Sequence, residues 1–290
     1  MSWTRIGDVE IARVLESNGP FMSVYKFFPD ATEEGIASHR DWLYPNVLTA
    51  DTNELIMPIQ SFVLRTEHHT VLVDACVGNH KSVEWFKPWH QKTDAAFKTG
   101  LSEIGVSVAD IDFVFCTHLH VDHSGWNTEL KDGRWVPTFP NAKYVLSKDE
   151  VNYMEMMHTE HGDPTYAENI APLIEAKQVE LVDNDYNVDD QVWIEPTPGH
   201  TPGHMAIRID SNSKRGVITG DLIHSPLQCH HPEWNFKFDS NKKQAAQTRR
   251  AFLERYCDCD AQVLTSHFPL PSTGRLESTN SAFVFVPDEV

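Results

Sequence analysis

The segment CTHLHVDHSGW, residues 116–126, carries three histidines and an aspartate within six positions: His118, His120, Asp122 and His123. In an extended loop His118 and His120 point the same way, whereas a helix would instead place His118 and Asp122 on one face. Imidazole and carboxylate groups together suit zinc or a similar divalent ion. The segment therefore indicates a metal site, with a solvated loop of chance histidines as the alternative.

Three later segments place the same residue types beside strands. PTPGHTPGH (196–204) holds His200 in a tight turn, VITGD (217–221) ends with Asp221, and VLTSHFP (263–269) carries His267. Proline and glycine fix such turns and let the backbone approach closely, which holds a ligand rigidly. Four such segments in one chain favour a metal centre over chance.

The rest of the chain predicts the elements that must position these side chains. Short apolar or alternating runs bounded by turn residues predict strands at 8–15, 59–66, 70–75, 111–117, 143–147, 191–195, 204–210, 216–220, 261–265 and 281–286. Helical spacing predicts helices over 93–105, capped by Gly105, and over 241–256. This pattern predicts two packed sheets with helices outside, in a single domain spanning residues 1–290.

Two aromatic-rich segments lack clear periodicity. Residues 16–56 contain Phe21 and Phe27 among others, and residues 77–91 contain Trp85 and Trp89. So many large apolar side chains argue against disorder. The first segment is interpreted as an N-terminal arm, either packed on the core or acting as a lid over the site or as a homodimer contact.

Composition excludes several classes of function. The formal net charge of −18 disfavours nucleic acid, which binds concentrated lysine and arginine. No apolar run is long enough for a membrane helix, and the first residues do not resemble a signal peptide. Five cysteines without framework spacing indicate reduced thiols. We therefore predict a cytoplasmic protein that engages neither membrane nor nucleic acid.

The ordered set HxHxDH, PGH, GD and SH resembles the metallo-β-lactamase-fold hydrolases from about residue 57 onward. The resemblance implies an α/β fold, specifically a four-layer αββα sandwich with two metal ions at one edge. It implies one ion on His118, His120 and His200, a second on Asp122, His123 and His267, and Asp221 between them. It also implies a structural role for Asp74 and a hydrogen-bonding role for His204.

A pair of divalent ions predicts hydrolysis. Two such ions, expected to be zinc, would acidify a bridging water and stabilise the oxyanion formed when hydroxide attacks a carbonyl or phosphoryl centre. Asp122 is the expected residue to orient that hydroxide and carry its proton.

The segments that carry the ligands also bear on the substrate. Extended to TGDLIHSPLQ (219–228) and TSHFPLP (265–271), they contain no lysine or arginine but offer apolar side chains for a pocket, namely Trp126, Leu222, Ile223, Phe268 and Leu270. We therefore expect a neutral, apolar small-molecule substrate, which disfavours nuclease and glutathione-thioester hydrolase activities.

The stretches GDLIH and SHFPLPSTGRL are most similar to the acyl-homoserine lactonases and the related methyl-parathion-hydrolase-like enzymes. Many lactonases carry a tyrosine three residues after the bridging aspartate, where this chain has His224. His224 is therefore either a catalytic proton donor or a structural neighbour of the ligands. Six further histidines in polar stretches are interpreted as surface residues, namely His68, His69, His158, His161, His230 and His231.

These observations predict a lactonase, with N-acyl-homoserine lactones as candidate substrates. An aryl-ester or organophosphotriester hydrolase is the alternative within hydrolases, and β-lactamase activity is disfavoured. Outside hydrolases, the alternatives are an iron-dependent sulfur dioxygenase and a non-catalytic metal-binding protein.

Overall fold

A computed structural model describes residues 3–279 and 282–289 of the chain. Its strands within those residues are β1 (Thr4–Ile6), β2 (Val9–Ser23), β3 (Glu54–Arg65), β4 (Thr70–Val73), β5 (Phe113–Phe115), β6 (Thr128–Lys131), β7 (Arg134–Pro137), β8 (Lys143–Ser147), β9 (Val179–Val182), β10 (Asn187–Val188), β11 (Val192–Pro196), β12 (Met205–Ser211), β13 (Lys214–Ile218), β14 (Ala261–Leu264), β15 (Thr273–Ser278) and β16 (Phe283–Pro287).

The α-helices of the same residues are α1 (Val24–Phe27), α2 (Glu33–Ala37), α3 (Arg40–Leu43), α4 (Ala96–Glu103), α5 (Val121–Ser124), α6 (Lys148–His161), α7 (Ala171–Glu175), α8 (Leu227–His230) and α9 (Lys242–Tyr256). Short 3₁₀ turns cover Val108–Asp110, Gly125–Asn127 and Gly220–Leu222, and a π turn covers Tyr166–Ile170. In the described part of the chain, no helix combines the length and hydropathy that crossing a bilayer demands.

Two seven-stranded sheets form the centre of the molecule. The first has the order β1-β2-β3-β4-β5-β8-β9 and the second runs from β10 to β16 in chain order. Strands β4, β5, β8 and β9 are parallel, as are β13 and β14, whereas the other pairs within the two sheets are antiparallel. Strands β6 and β7 form a separate hairpin.

Alternating side chains divide the first sheet between two cores. Phe62 and Leu64 of β3 pack with Ile207 and Ile218 of the second sheet, while Val63 between them faces the opposite side. This is the period of two expected for a strand buried on both faces. The sheets are therefore stacked face to face.

Helices cover the outer faces of both sheets. Helices α4 and α6 pack on the first sheet through Phe97, Leu101, Val151 and Met154. Helix α9 packs on the second sheet through Phe252, Leu253 and Tyr256. The α/β class and the predicted αββα sandwich are confirmed.

The N-terminal arm differs in part from its prediction. Strand β2 continues to Ser23 and β3 begins at Glu54, so both ends of the 16–56 segment are paired strands. The register of β2 shifts between Leu15 and Ser17 and again between Pro20 and Ser23. These irregularities break the alternation of apolar residues, which explains why the pattern did not indicate a strand.

The middle of the arm folds into α1–α3 and has its own apolar cluster. Phe27, Phe28, Leu43 and Leu48 pack there against residues that precede α9, among them Trp234 and Phe236. The arm is thus packed on the body of the protein. Its roles as a lid or dimer contact stay predictions.

The observed ends of several helices and strands differ by a few residues from the predicted ends. The predicted 93–105 helix is α4, and Gly105 follows it at φ 71°, a left-handed conformation that suits glycine. The predicted last strand corresponds to β16, and its Ser281 lies outside the described residues. The single domain stays a prediction, and its residues 1–2, 280–281 and 290 also lie outside them.

Candidate metal centre

The four ligand-bearing segments meet at one edge of the sandwich. The first follows β5, Asp221 follows β13, and His267 follows β14, while His200 lies in the turn between β11 and β12. Because β13 and β14 are parallel neighbours, their carboxyl ends bring Asp221 and His267 to the same edge. Residues separated by up to 149 positions in the chain thus converge.

Four of the predicted ligands form a first group. His120 Nδ1 lies 3.0 Å from His118 Nε2 and 3.0 Å from His200 Nε2. Asp221 Oδ2 lies 3.4 Å from His200 Nε2 and 3.7 Å from His118 Nε2. Two nitrogens bound to one tetrahedral zinc ion are about 3.3 Å apart, so this spacing fits ligands of a single ion.

The other three predicted ligands form a second group. His123 Nε2 and His267 Nε2 are 3.2 Å apart, and Asp122 Oδ2 lies 3.7 Å from each of them. The second carboxylate oxygen of Asp221, Oδ1, lies 3.0 Å from both of these imidazole nitrogens. Asp221 therefore presents one oxygen to each group, which is the geometry of a bridging ligand.

The hydrogen bonds of the outer ring nitrogens orient the inner ones. Four histidines engage Nδ1 with an oxygen: His118 with Thr117 Oγ1 at 3.2 Å, His123 with Asp74 Oδ2 at 2.8 Å, His200 with Asp239 Oδ1 at 2.9 Å and His267 with the Pro58 carbonyl at 3.0 Å. With Nδ1 donating the proton, each Nε2 turns a lone pair toward the carboxylate oxygens of the site. Lone pairs that converge in this way repel one another unless a cation lies between them, so the donor set fits a metal pair.

Burial and neighbouring charges determine the protonation of the candidate ligand histidines. Burial lowers the pKa of His118 well below its usual value and lowers that of His120 to about 4, so both rings are neutral and able to bind metal. Burial also opposes protonation of His123, but the carboxylates of Asp221 and Asp74 outweigh it and raise its pKa. The same negative charges would favour a metal cation beside this ring.

Asp74 occupies a strained position that serves His123. Its backbone has φ 60°, and its carboxylate accepts hydrogen bonds from the Thr117 backbone N–H and from His123. Ala75 and Cys76, which follow Asp74, form backbone hydrogen bonds with the segment that contains His123. A Cβ atom on Gly125 would lie only 1.7 Å from the Val77 carbonyl oxygen. The glycine of HSGW is thus required for this close approach.

Asp239 is a residue that the sequence motifs did not reveal. Its Oδ1 accepts the Nδ1 proton of His200, and its Oδ2 lies 3.4 Å from the guanidinium of Arg249, which is fully buried on α9. Burial acts against ionisation of Asp239, but the hydrogen bond from His200 and the charge of Arg249 keep its pKa below the usual value. The hydrogen bond to Asp239 fixes the orientation of the His200 ring, with Nε2 toward the site.

Replacing Asp239 with asparagine should therefore weaken one metal equivalent by about 10–100-fold, because the His200 ring loses its charged partner. Competition with a chromophoric chelator measures both equivalents. The matched control is Asp210→Asn, since Asp210 pairs with Arg208 at the surface of β12. Unchanged affinity for both ions in the folded Asp239→Asn protein would refute this role.

His204 has both ring nitrogens engaged outside the two groups. Its Nδ1 lies 2.8 Å from Thr197 Oγ1, and its Nε2 accepts the backbone N–H of Asp221 at 3.0 Å. It is thus a hydrogen-bonding partner, as the sequence interpretation expected, and it positions Asp221.

His224 is buried beside the centre. Its Nε2 donates to Asp221 Oδ2 at 3.1 Å, and its Nδ1 has no hydrogen-bond partner among the described residues. Burial lowers the pKa of this ring, so it is neutral with its proton on Nε2.

A cavity of 540 Å³ opens over the candidate centre, and its floor includes Asp122, Asp221, His224 and His267. The walls are mainly apolar, and their larger side chains are Phe21, Phe27, Met57, Trp85, Trp89, Tyr153, Met154, Met157, Phe236 and Phe238. One cation, Lys237, also lines it.

The expected lining residues were wrong, although the apolar character was right. Trp126 stacks on Phe97 in the core, and Leu222, Ile223 and Phe268 pack beneath α9. Leu270 lines a different cavity beside Trp42. The walls come instead from the arm, the 77–91 segment, helix α6 and the segment before α9.

Residues 56–255 match the metallo-beta-lactamase superfamily. The N-acyl homoserine lactonase of a Bacillus species is 25% identical over 181 residues, which cover 59% of this chain and 66% of that protein. The lactonase of Bacillus cereus is 26% identical over 177 residues, which cover 57% of this chain and 63% of the relative. The chain thus spans slightly less than two thirds of the length of these curated relatives.

Two solved structures share the fold over nearly the whole chain. AidC, a dizinc quorum-quenching lactonase in complex with a product, superposes with a TM-score of 0.82 at 22% identity and covers 100% of this chain and 97% of its own. AbOPH, a hydrolase of the beta-lactamase superfamily, superposes with a TM-score of 0.83 at 21% identity and covers 99% of this chain and 97% of its own.

Proposed function

The chain belongs to the metallo-beta-lactamase superfamily, and from this premise we propose that it is a dinuclear metal-dependent hydrolase that opens lactones. The observation that carries the proposal is Asp221, which offers one carboxylate oxygen to each of two histidine-containing groups. A single-ion enzyme needs no such bridge. The arrangement therefore favours hydrolysis over the alternative of a mononuclear iron dioxygenase.

Each group would hold one divalent ion. His118, His120 and His200 would hold the first, Asp122, His123 and His267 the second, and Asp221 would contact both. Zinc is the proposed metal, because imidazole and carboxylate donors suit it and AidC is a dizinc lactonase. When bound, the ion pair supplies a water of lowered pKa and polarises the substrate oxygen.

Two residues of the chain, Asp122 and His224, can accept the proton of the attacking water and donate a hydrogen bond to the substrate. Asp122 lies at the cavity floor and its Oδ2 faces the second group, where it can accept the proton of the attacking water. His224 presents Nε2–H beside Asp221, where it can donate a hydrogen bond to the oxygen that gains charge as the ester bond breaks. The aromatic walls make the surroundings of these groups largely apolar.

The cavity supports an apolar substrate. Its volume of 540 Å³ lies within the range typical of small-molecule sites, and its walls are dominated by aromatic and methionine side chains. N-acyl-homoserine lactones combine a lactone with an apolar chain, and the curated relatives are N-acyl homoserine lactonases. We propose lactones of this class as the substrates.

An aryl-ester or organophosphotriester hydrolase is the second candidate, because the same walls suit a flat aromatic ring. Phe236 stacks on Phe27 at 4.2 Å between centroids, and Phe21, Phe86 and Trp89 form a further aromatic cluster. Aromatic faces of this kind bind aryl groups through stacking.

Initial rates on matched substrates test the proposal. The zinc-loaded protein should hydrolyse N-acyl-homoserine lactones faster than aryl esters, phosphotriesters or β-lactams, and removal of the metals by a chelator should abolish the rate. Turnover that survives complete metal removal would refute the mechanism. No turnover of any substrate by protein with two bound ions would instead favour a non-catalytic metal-binding protein.

A further inference from the structure

A second group of histidines lies where the arm meets the body of the protein, away from the candidate centre. His39 precedes α3 in the arm, and His230 and His231 lie at the end of α8. The Nε2 atoms of His39 and His231 are 3.0 Å apart, although these residues are 192 positions apart in the sequence. The three side chains are partly buried, which corrects the interpretation of His230 and His231 as plain surface residues.

The spacing of the two nitrogens matches that of metal ligands. Within the candidate centre the closest histidine nitrogens are 3.0–3.2 Å apart. Ligands at about 2.0–2.1 Å from one ion are about 2.9 Å apart at a right angle and about 3.3 Å apart at the tetrahedral angle. The planes of His39 and His231 are inclined by 66°, so both nitrogens can face one point from different directions.

Neighbouring side chains hold these rings in place. His231 stacks on Trp234 at 3.9 Å with an interplanar angle of 7°, and its other nitrogen, Nδ1, lies 3.5 Å from Glu233 Oε1. His230 lies 4.4 Å from the His39 ring and stacks on Trp42. A carboxylate near the outer nitrogen is a common partner of a metal-binding imidazole.

We propose that His39 and His231 bind a further divalent transition-metal ion, of the zinc, nickel and copper class that prefers imidazole, and that this ion ties the arm to the segment following α8. The partial exposure of both rings leaves room for water at the remaining coordination positions. Burial and the proximity of His231 lower the pKa of His39, so this ring is neutral at pH 7 and has a lone pair for the ion.

The site has a consequence for the cavity. The arm also carries Phe27, which stacks on Phe236 and lies 5.3 Å from His224 in an edge-on contact. An ion on His39 and His231 would therefore fix the arm that forms this wall. Because the two histidines meet only when the arm is packed on the body, the ion would stabilise the packed arm.

Equilibrium dialysis against zinc tests the proposal. The full chain should bind one more zinc ion than His39→Ala or His231→Ala, and each variant should lose a single equivalent. His161→Ala is the matched control, because His161 is exposed at the end of α6 and should retain every equivalent. Because the readout is a difference of one ion, it does not depend on whether the candidate centre is catalytic.

Binding of copper tests whether His39 and His231 are the ligands. When one equivalent of Cu²⁺ is added to protein that carries two zinc ions, and neither zinc ion is released, its electron paramagnetic resonance spectrum should show coupling to two imidazole nitrogens. That signal should disappear in both variants and persist in His161→Ala. Equal zinc stoichiometry in the parent and both variants, or a copper signal unaffected by them, would overturn the site and leave a direct N–H···N hydrogen bond.

Discussion

Asp221→Asn should leave at most one metal ion per chain and lower the rate of lactone opening by at least about 10³-fold. The carboxylate contacts both groups, with Oδ1 3.0 Å from His123 and His267 and Oδ2 3.4 Å from His200. An asparagine of the same size keeps one oxygen but replaces the other with an NH₂ group, which cannot coordinate a cation. The negative charge that the two proposed ions would share is also lost.

Metal content by elemental analysis and initial rates on one N-acyl-homoserine lactone measure both effects. His123→Ala should behave in the same way for the second group, because it removes the ring that joins Asp74 to Asp221. Asp210→Asn serves again as the control and should retain two ions and the parental rate. Parental turnover in Asp221→Asn would contradict the bridging role, whatever its metal content.

The candidate ligands could be predicted from the sequence because each lies in a short segment with a recognisable spacing. His118 and His120 are two residues apart after an apolar strand, and His200, Asp221 and His267 each adjoin a strand at the same edge of the sandwich. Strand ends that meet at one edge are a consequence of the fold. Local pattern and tertiary position therefore agree for these residues.

Asp239 and the cavity walls could not be found in this way. Asp239 acts on His200 through contacts that exist only after α9 packs and brings Arg249 beside it. Phe21 lies in the irregular end of β2, where register shifts hide the alternation, and Trp85 and Trp89 lie in a segment without regular structure. The sequence indicated that these aromatic side chains pack against other residues, but only the tertiary structure shows that they line the cavity.

The family resemblance left two roles open for His224, a catalytic proton donor or a structural neighbour of the ligands. The surroundings of the ring bear on the first. A catalytic acid would need a second proton to give away, but burial lowers the pKa of His224 and its single proton lies on Nε2 toward Asp221. The ring can therefore donate a hydrogen bond at the centre. It does not carry an additional proton at neutral pH.

His224→Ala should accordingly lower turnover by about 10²-fold while two metal ions remain bound, because the hydrogen bond matters most when charge develops on the substrate oxygen. The separation of the two effects is the test. Equal loss of metal and turnover would show that His224 acts only by holding Asp221 in place.

His224→Tyr provides the matched comparison, since a phenol can donate a hydrogen bond from the same position. It should recover a large part of the rate lost in His224→Ala, whereas His224→Phe should not, although it places a similar ring between Phe27 and Phe236. The pH dependence separates the roles further. Protonation of His224 at acidic pH adds a positive charge beside the metals, so the parent and the tyrosine variant should differ most on the acidic limb. Identical acidic limbs in both proteins would mean that His224 does not titrate in the reaction, and similar rates for the tyrosine and phenylalanine variants would remove hydrogen-bond donation from its role.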